Sequence, residues 1–153
     1  METAAQTMSG QAAIRLLVDA VSEGGNLLLN VGPDEAGNIP ELQVRCLDYM
    51  GDYMALNGRA INETVPLKDD IAEPVGPSEV TDEETWIRWT RTETSIFAFV
   101  SGKGQVYLPI KSTGVDKSSA KLLSGESVEM IDGSVNLDVN SSLKPMCIEL
   151  LLQ

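Results

Sequence analysis

The chain has 153 residues, 11 of them basic and 23 acidic, a formal net charge of −12 and no histidine. Such an acidic surface repels phosphate backbones and anionic lipid, which argues against nucleic-acid and membrane-surface roles. The missing histidine removes the commonest metal ligand, the commonest general base and any Ser-His triad.

Ala13, Leu16-Leu17 and Ala20-Val21 recur at helical spacing, and Ile14 and Val18 widen the stripe. They predict a helix from about Met8 to Ser22. Gly24-Gly25 ends it, because glycine accepts the left-handed conformation at a helix C-terminus. Leu27-Leu28-Leu29 then runs without alternation, which predicts a strand buried on both faces, the mark of a parallel sheet. Gly32-Pro33 stops that strand, and Asp34-Glu35-Ala36-Gly37-Asn38 is a turn. Pro40 suits the first turn of the next helix, and Glu41 adds favourable charge there. Leu42, Cys46, Met50 and Tyr53-Met54 share an apolar face, so this helix runs to about Leu56 and stops at Asn57-Gly58.

Composition shifts between Asn62 and Thr81, where Pro66, Pro74 and Pro77 mix with Asp69, Asp70 and Glu73. The span has no sustained periodicity and reads as a connector. From Thr85 onward the pattern is β. Strands are expected at Thr85–Arg91, Ser95–Val100, Gln105–Ile110, Ala120–Leu123, Ser127–Ile131, Ser134–Val139 and Met146–Leu152. Thr92-Glu93-Thr94 and Gly102-Lys103-Gly104 read as hairpin turns, and Asp132-Gly133 is a strong hairpin signal. Seven short strands with frequent turns point to an antiparallel sandwich.

The run from Gly24 to Pro33, then Gly37, Ile39-Pro40 and Asn57-Gly58-Arg59-Ala60-Ile61, resembles the end of the catalytic barrel of the α-L-fucosidases, glycoside hydrolase family 29. In that family this stretch is the last barrel strand and helix, and a β-sandwich follows. Trp89-Thr90-Arg91 and Ile96-Phe97-Ala98-Phe99 fit the opening of that sandwich at the level of pattern. The chain departs from the family pattern at Asn62-Glu63-Thr64, where an aromatic and a glycine are usual. A whole barrel needs roughly 250 residues, so this chain resembles the C-terminal portion of such an enzyme.

The expected fold class is therefore α+β: a helix–strand–helix remnant of a (β/α) barrel over residues 1–61, a linker over 62–80 and an antiparallel β-sandwich over 81–153. The resemblance implies a retaining parent that hydrolyses α-L-fucosides with a nucleophile and an acid/base carboxylate. Both groups lie upstream of the matched motif in the family, so no catalytic residue is assigned in this chain. Its expected role is structural, supporting the barrel. The alternative is a carbohydrate-binding or interaction module.

Local candidates remain to be weighed. Asp34 and Glu35 follow the C-terminal end of the expected barrel strand, the end where barrel active sites sit, but turns attract Asp for backbone reasons. Asn30 is a candidate for the wall of a sugar pocket, with hydrogen bonding to loop backbone as the structural alternative. Trp86, Trp89 and Tyr107 raise sugar stacking; Trp86 and Trp89, three apart, point to opposite faces of a regular strand. Asp69-Asp70 and Asp82-Glu83-Glu84 read as solvated loop charges. Asn62-Glu63-Thr64 and Asn140-Ser141-Ser142 match a short glycosylation pattern.

Cys46 and Cys147 lack C-x-x-C spacing and read as small buried hydrophobes. No metal site or cofactor is read from the sequence. Met1-Glu2-Thr3-Ala4-Ala5 lacks the basic segment and apolar core of a signal peptide, and the compartment stays open. The expected partner is the missing catalytic part of the barrel. A lone chain leaves Leu27, Leu28 and Leu29 without neighbouring strands, so it is expected to hide them by self-association or by packing them, with the helices, onto the sandwich.

Overall fold

The computed structural model describes residues 7–68, 70–76, 85–102, 104–126, 128–137 and 144–153. Expectations placed on Met1–Ala5, Asp69, Pro77, Asp82–Glu84, Lys103, Ser127, Val139 and Asn140–Ser142 lie outside these residues.

Helix α1 spans Gly10–Ser22. The Ser9 hydroxyl accepts the Ala12 N–H at 3.2 Å and caps its start. Its end is a Schellman turn: Gly24 N–H donates to the Val21 carbonyl at 3.0 Å, and Gly25 N–H to the Ala20 carbonyl at 2.7 Å. Gly24 has φ 86, as that motif needs. Helix α2 spans Glu41–Asn57, with Pro40 at its N-cap. A 3-10 turn at Gly58–Ala60 follows, and Gly58 keeps a right-handed φ of −57. Asn57-Gly58 thus tightens the helix instead of reversing it.

The strands are β1 Val65–Pro66, β2 Trp86–Arg91, β3 Ser95–Ser101, β4 Gly104–Tyr107, β5 Val115–Leu122, β6 Met130–Ile131, β7 Ser134–Leu137 and β8 Met146–Leu152. They form a five-stranded sheet in the order β1-β2-β3-β8-β5 and a three-stranded sheet in the order β4-β7-β6, with every ladder antiparallel. Asp132 and Gly133 join β6 to β7 with φ 50 and 80, the pair of positive values a type I′ hairpin turn requires.

The five-stranded sheet is covered on both faces, and the two faces carry different chemistry. Ile87, Trp89, Ile96, Ala98, Val100, Ile148 and Leu150 pack with Val106, Leu108, Ile110 and Val135 from the region of the smaller sheet. Trp86, Phe97, Phe99 and Cys147 pack instead with Ile14 and Val18 of α1, Tyr53 of α2, Ala60 and Ile61. The period-2 alternation of a strand sorts β3 into an aliphatic side and an aromatic side. Burying each such large side chain is worth about 1.5–3 kcal/mol.

Three expectations are corrected. Leu27–Leu29 forms no ladder among the described residues, and Leu28 is 93% exposed. A strand apolar on both faces needs neighbours on both edges and cover on both sides, and no described strand runs beside this one. The strand that does meet that description is β3, buried at all seven positions inside an antiparallel sheet. Second, the strands on either side of Gly102 and Gly104 are not a hairpin pair: β3 pairs with β2 and β8, whereas β4 pairs with β7, so the two strands lie in different sheets. Third, the described part of the 62–80 span is tied into the fold. Val65 pairs with Arg91, Ala72 bridges to Ile110 and Val75 bridges to Ile87. No helix among the described residues is long and apolar enough to cross a membrane.

Candidate functional site

The stretch Leu27–Gly32 links α1 to α2 and lies against residues of the N-terminal segment and α2, among them Met8, Cys46 and Leu47. Its burial alternates: Leu27, Leu29 and Val31 are half-buried, and Leu28 and Asn30 are exposed. Leu28 and Asn30 therefore look one way and the other three look toward the helices. Gly32 N–H donates to Gln43 Oε1 at 2.9 Å, which pins the end of the stretch to α2. A recess of about 140 Å³ lies here, lined in part by Met8, Leu29, Asn30, Val31, Cys46 and Leu47. Burial pushes the Cys46 thiol up, so it stays protonated and inert at neutral pH.

The turn after this stretch uses its own carboxylate. Asp34 Oδ1 accepts the Ala36 N–H at 2.9 Å and the Asn38 N–H at 2.8 Å. The Asn38 amide, opposed by slight desolvation and aided by Ala36, holds the Asp34 carboxyl below its ordinary range. A carboxylate so committed is a poor general acid at neutral pH. Glu35 is exposed beside it. Among the described residues no three His, Cys, Asp or Glu side chains converge as a metal site would require.

The two tryptophans do not form a sugar platform. Trp86 is 0% and Trp89 3% exposed. They point to opposite faces of β2, Trp86 into the helix-facing core and Trp89 into the core between the sheets. The Trp89 indole N–H donates to the Glu73 carbonyl at 2.7 Å. Sugar stacking on either ring is thereby corrected: each strand face is covered by another layer, so neither ring meets solvent.

Sequence reading passed over a set of buried charges that dock the helices on the sheet. Arg88 of β2 donates through Nε to Asp19 of α1 at 2.5 Å, and its Nη1 reaches the Val75 carbonyl at 2.9 Å. The same guanidinium lies 5.0 Å from the centre of the Trp86 ring. Burial raises the Asp19 carboxyl, and Arg88 offsets only part of that rise. Glu149 of β8 is 4% exposed and pairs with Arg59 and with Lys121, while Ser95 Oγ donates to its Oε1 at 2.9 Å. Tyr53 Oη donates to the Pro145 carbonyl at 3.0 Å, and Thr90 Oγ1 to the Ala60 carbonyl at 2.6 Å. The available signal was a single charge inside an otherwise apolar strand, as at Arg88 and Glu149, which a fold tolerates only when the charge is paired.

This geometry can be set beside known proteins. The family model described as alpha-L-fucosidase matches residues 1–59. The α-L-fucosidase of Branchiostoma floridae is 31% identical over 109 residues, covering 69% of this chain and 21% of that protein. The plasma α-L-fucosidase of Rattus norvegicus is 47% identical over 51 residues, 33% of this chain and 11% of that protein. The crystal structure of Thermotoga maritima α-fucosidase with a mechanism-based inhibitor covers 99% of this chain at a TM-score of 0.70 and 29% identity.

Together these matches support a fragment of an α-L-fucosidase. The chain spans 36% of the Thermotoga maritima structure and a smaller share of the curated relatives, so it corresponds to a part of a family member. The superposition extends over the strands as well as the helices, and the family's barrel-plus-sandwich architecture therefore frames the whole chain.

Proposed function

We propose that this chain is a structural part of an α-L-fucosidase: its helical layer closes one side of the catalytic barrel, and its sandwich braces that closure. The observation that carries this reading is the Leu27–Gly32 stretch. It links two helices whose side chains pack on the sheet and is tied to α2 through Gln43, yet it leaves Leu28 93% exposed. An extended apolar segment with free edges is a place for neighbouring strands. In a barrel, strand residues alternate between the interior and the helix layer. Leu28 would then enter the barrel interior, and Asn30 would stand near the C-terminal mouth, where it could contribute to the wall of a sugar pocket. Leu27, Leu29 and Val31 already face the helices.

On this reading the hydrolysis of α-L-fucosides, with retention, is performed by carboxylates outside this chain. The chain contributes the wall and the brace. The isolated chain, lacking the rest of the barrel, would associate with itself through Leu27, Leu28 and Leu29.

The test is complementation. The 153-residue chain is co-expressed with the upstream part of the Thermotoga maritima relative, truncated before the matching region. Co-purification with recovered turnover of a chromogenic α-L-fucoside supports the proposal. Two soluble parts that ignore one another contradict it.

A further inference from the structure

The buried tryptophans leave the third aromatic candidate, Tyr107, in a different situation. It ends β4, at the edge of the three-stranded sheet, and is 58% exposed. Its neighbour Val106 points inward and is buried, so the ring stands on the outer face of that sheet. The ring is also backed by the β6–β7 turn. A methyl placed on Gly133 would meet a ring carbon of Tyr107 at 3.0 Å, so the ring lies close over this turn, and the φ of 80 favours glycine there. Such a ring has backbone on one side while the rest of it stays open to solvent, and contact with backbone reduces the side-chain entropy lost on binding.

The same face carries convergent polar groups. Gln105 is two residues from Tyr107 on the same side of β4. Ser134 is the cross-strand partner of Tyr107, and Ile131 is the cross-strand partner of Ser134. A shallow recess of about 340 Å³ is lined by Gln105, Glu129, Ile131 and Ser134. Tyr107 does not line this recess but flanks it through Gln105, two residues away on the same side of β4, and through its cross-strand partner Ser134. A ring next to a recess that holds an amide, a hydroxyl and a carboxylate suits one chemical class. Sugar C–H faces lie on the ring, and sugar hydroxyls donate to and accept from the polar groups. The carboxylate, within a chain of net charge −12, disfavours anionic ligands.

We propose that the outer face of the three-stranded sheet, centred on Tyr107, is a binding site for neutral oligosaccharides. The site lies in the smaller sheet, apart from the exposed stretch at Leu27–Gly32. It does not depend on the barrel-closing role, because binding is read on this chain alone.

The experiment is a titration of the isotope-labelled 153-residue chain with 2′-fucosyllactose, lactose and 3′-sialyllactose, followed by amide resonances. The neutral sugars should shift residues 105–107 and 131–134 with a millimolar dissociation constant, and the sialylated sugar should bind at least tenfold more weakly. Tyr107→Ala should lose at least tenfold in affinity, whereas Tyr107→Phe should stay within threefold. Gln105→Ala, on an exposed side chain, serves as the second variant and should weaken binding at least threefold while leaving the remaining spectrum unchanged. The proposal is overturned if neither neutral sugar shifts these residues, if the shifts map elsewhere, or if both Tyr107→Ala and Gln105→Ala bind as the parent does. Concentration-dependent broadening of the same residues without sugar would also overturn it and assign the face to a second copy of the chain.

Discussion

Arg59, in the 3-10 turn that follows α2, is ion-paired with Glu149 in the middle of β8, ninety residues further along the chain. The pair joins the helical layer to the sheet at one point. Lys121 of β5 and Ser95 of β3 complete the surroundings of the carboxylate, so one side chain ties three strands to the helix end. Arg59 is half-exposed and Glu149 is buried, which makes the cost of losing each partner unequal.

Glu149→Gln should lower stability by about 1–2 kcal/mol, since a buried, paired charge is lost while its cations can return to water. At this chain length that is a fall in Tm of about 2–4 °C per kcal/mol. Burial pushes the Glu149 carboxyl up, but the Ser95 hydroxyl, Lys121 and Arg59 together outweigh it and hold it below its ordinary 4.5. A group with a depressed folded-state pKa stabilises fully above its unfolded value and loses that contribution as the pH falls through the folded value. The Tm gap between the parent and Glu149→Gln should therefore be largest at pH 7 and close on acidification below about pH 4.5. Asp19, raised by burial, works in the opposite direction, so the comparison with the variant is what isolates Glu149. Thermal melts between pH 7 and pH 3 read both effects; a gap that widens in acid would refute the assignment.

Leu28→Ser should leave the fold intact, within about 0.5 kcal/mol, because the side chain makes almost no contact within the chain. It should weaken self-association. Light scattering after size exclusion is the check, with the parent chain shifting toward higher mass as concentration rises and the variant staying monomeric further up the series. A parent that remains monomeric throughout would mean that the Leu27–Leu29 edge is not an association surface.

Glu63 has φ 59, in the left-handed region where a side chain is strained. It falls in the stretch where the family pattern has a glycine. Glu63→Gly should relieve the strain against a smaller entropic cost, for a net gain of about 0.5–1 kcal/mol. Urea unfolding would show a higher midpoint with an unchanged slope. Destabilisation by this change would mean that the Glu63 side chain supplies more than its backbone costs.

Much of the fold was legible because it rests on local signals. Apolar spacing placed α1 and α2 within two residues at each end, Gly24-Gly25 marked a Schellman turn, and Asp132-Gly133 marked a hairpin whose φ values match its type. What failed depends on partners distant in sequence. Leu27-Leu28-Leu29 has the composition of a buried strand, but burial needs neighbours that composition cannot supply. Trp86 and Trp89 were correctly placed on opposite faces, yet their exposure turned on a third layer, because the helices cover the face that would otherwise present Trp86. Gly102–Gly104 looked like a hairpin because glycine spacing does not say whether the next strand joins the same sheet. Of the site, the sequence named Asn30 but not which way it faces, and its exposure comes from the structure; the docking charges at Asp19, Arg88 and Glu149 needed the packed layers to be seen as a set.

The proposal at the centre of this account is that the chain supplies part of the frame of an α-L-fucosidase while the catalytic carboxylates lie outside it. The most direct test is hydrolysis of a chromogenic α-L-fucoside by the purified chain alone, beside an intact family member. The account predicts no turnover above the uncatalysed rate. Turnover that survives repurification and disappears in Asp34→Asn or Glu35→Gln would contradict it, and would place a complete active site on the turn that follows Leu27–Gly32.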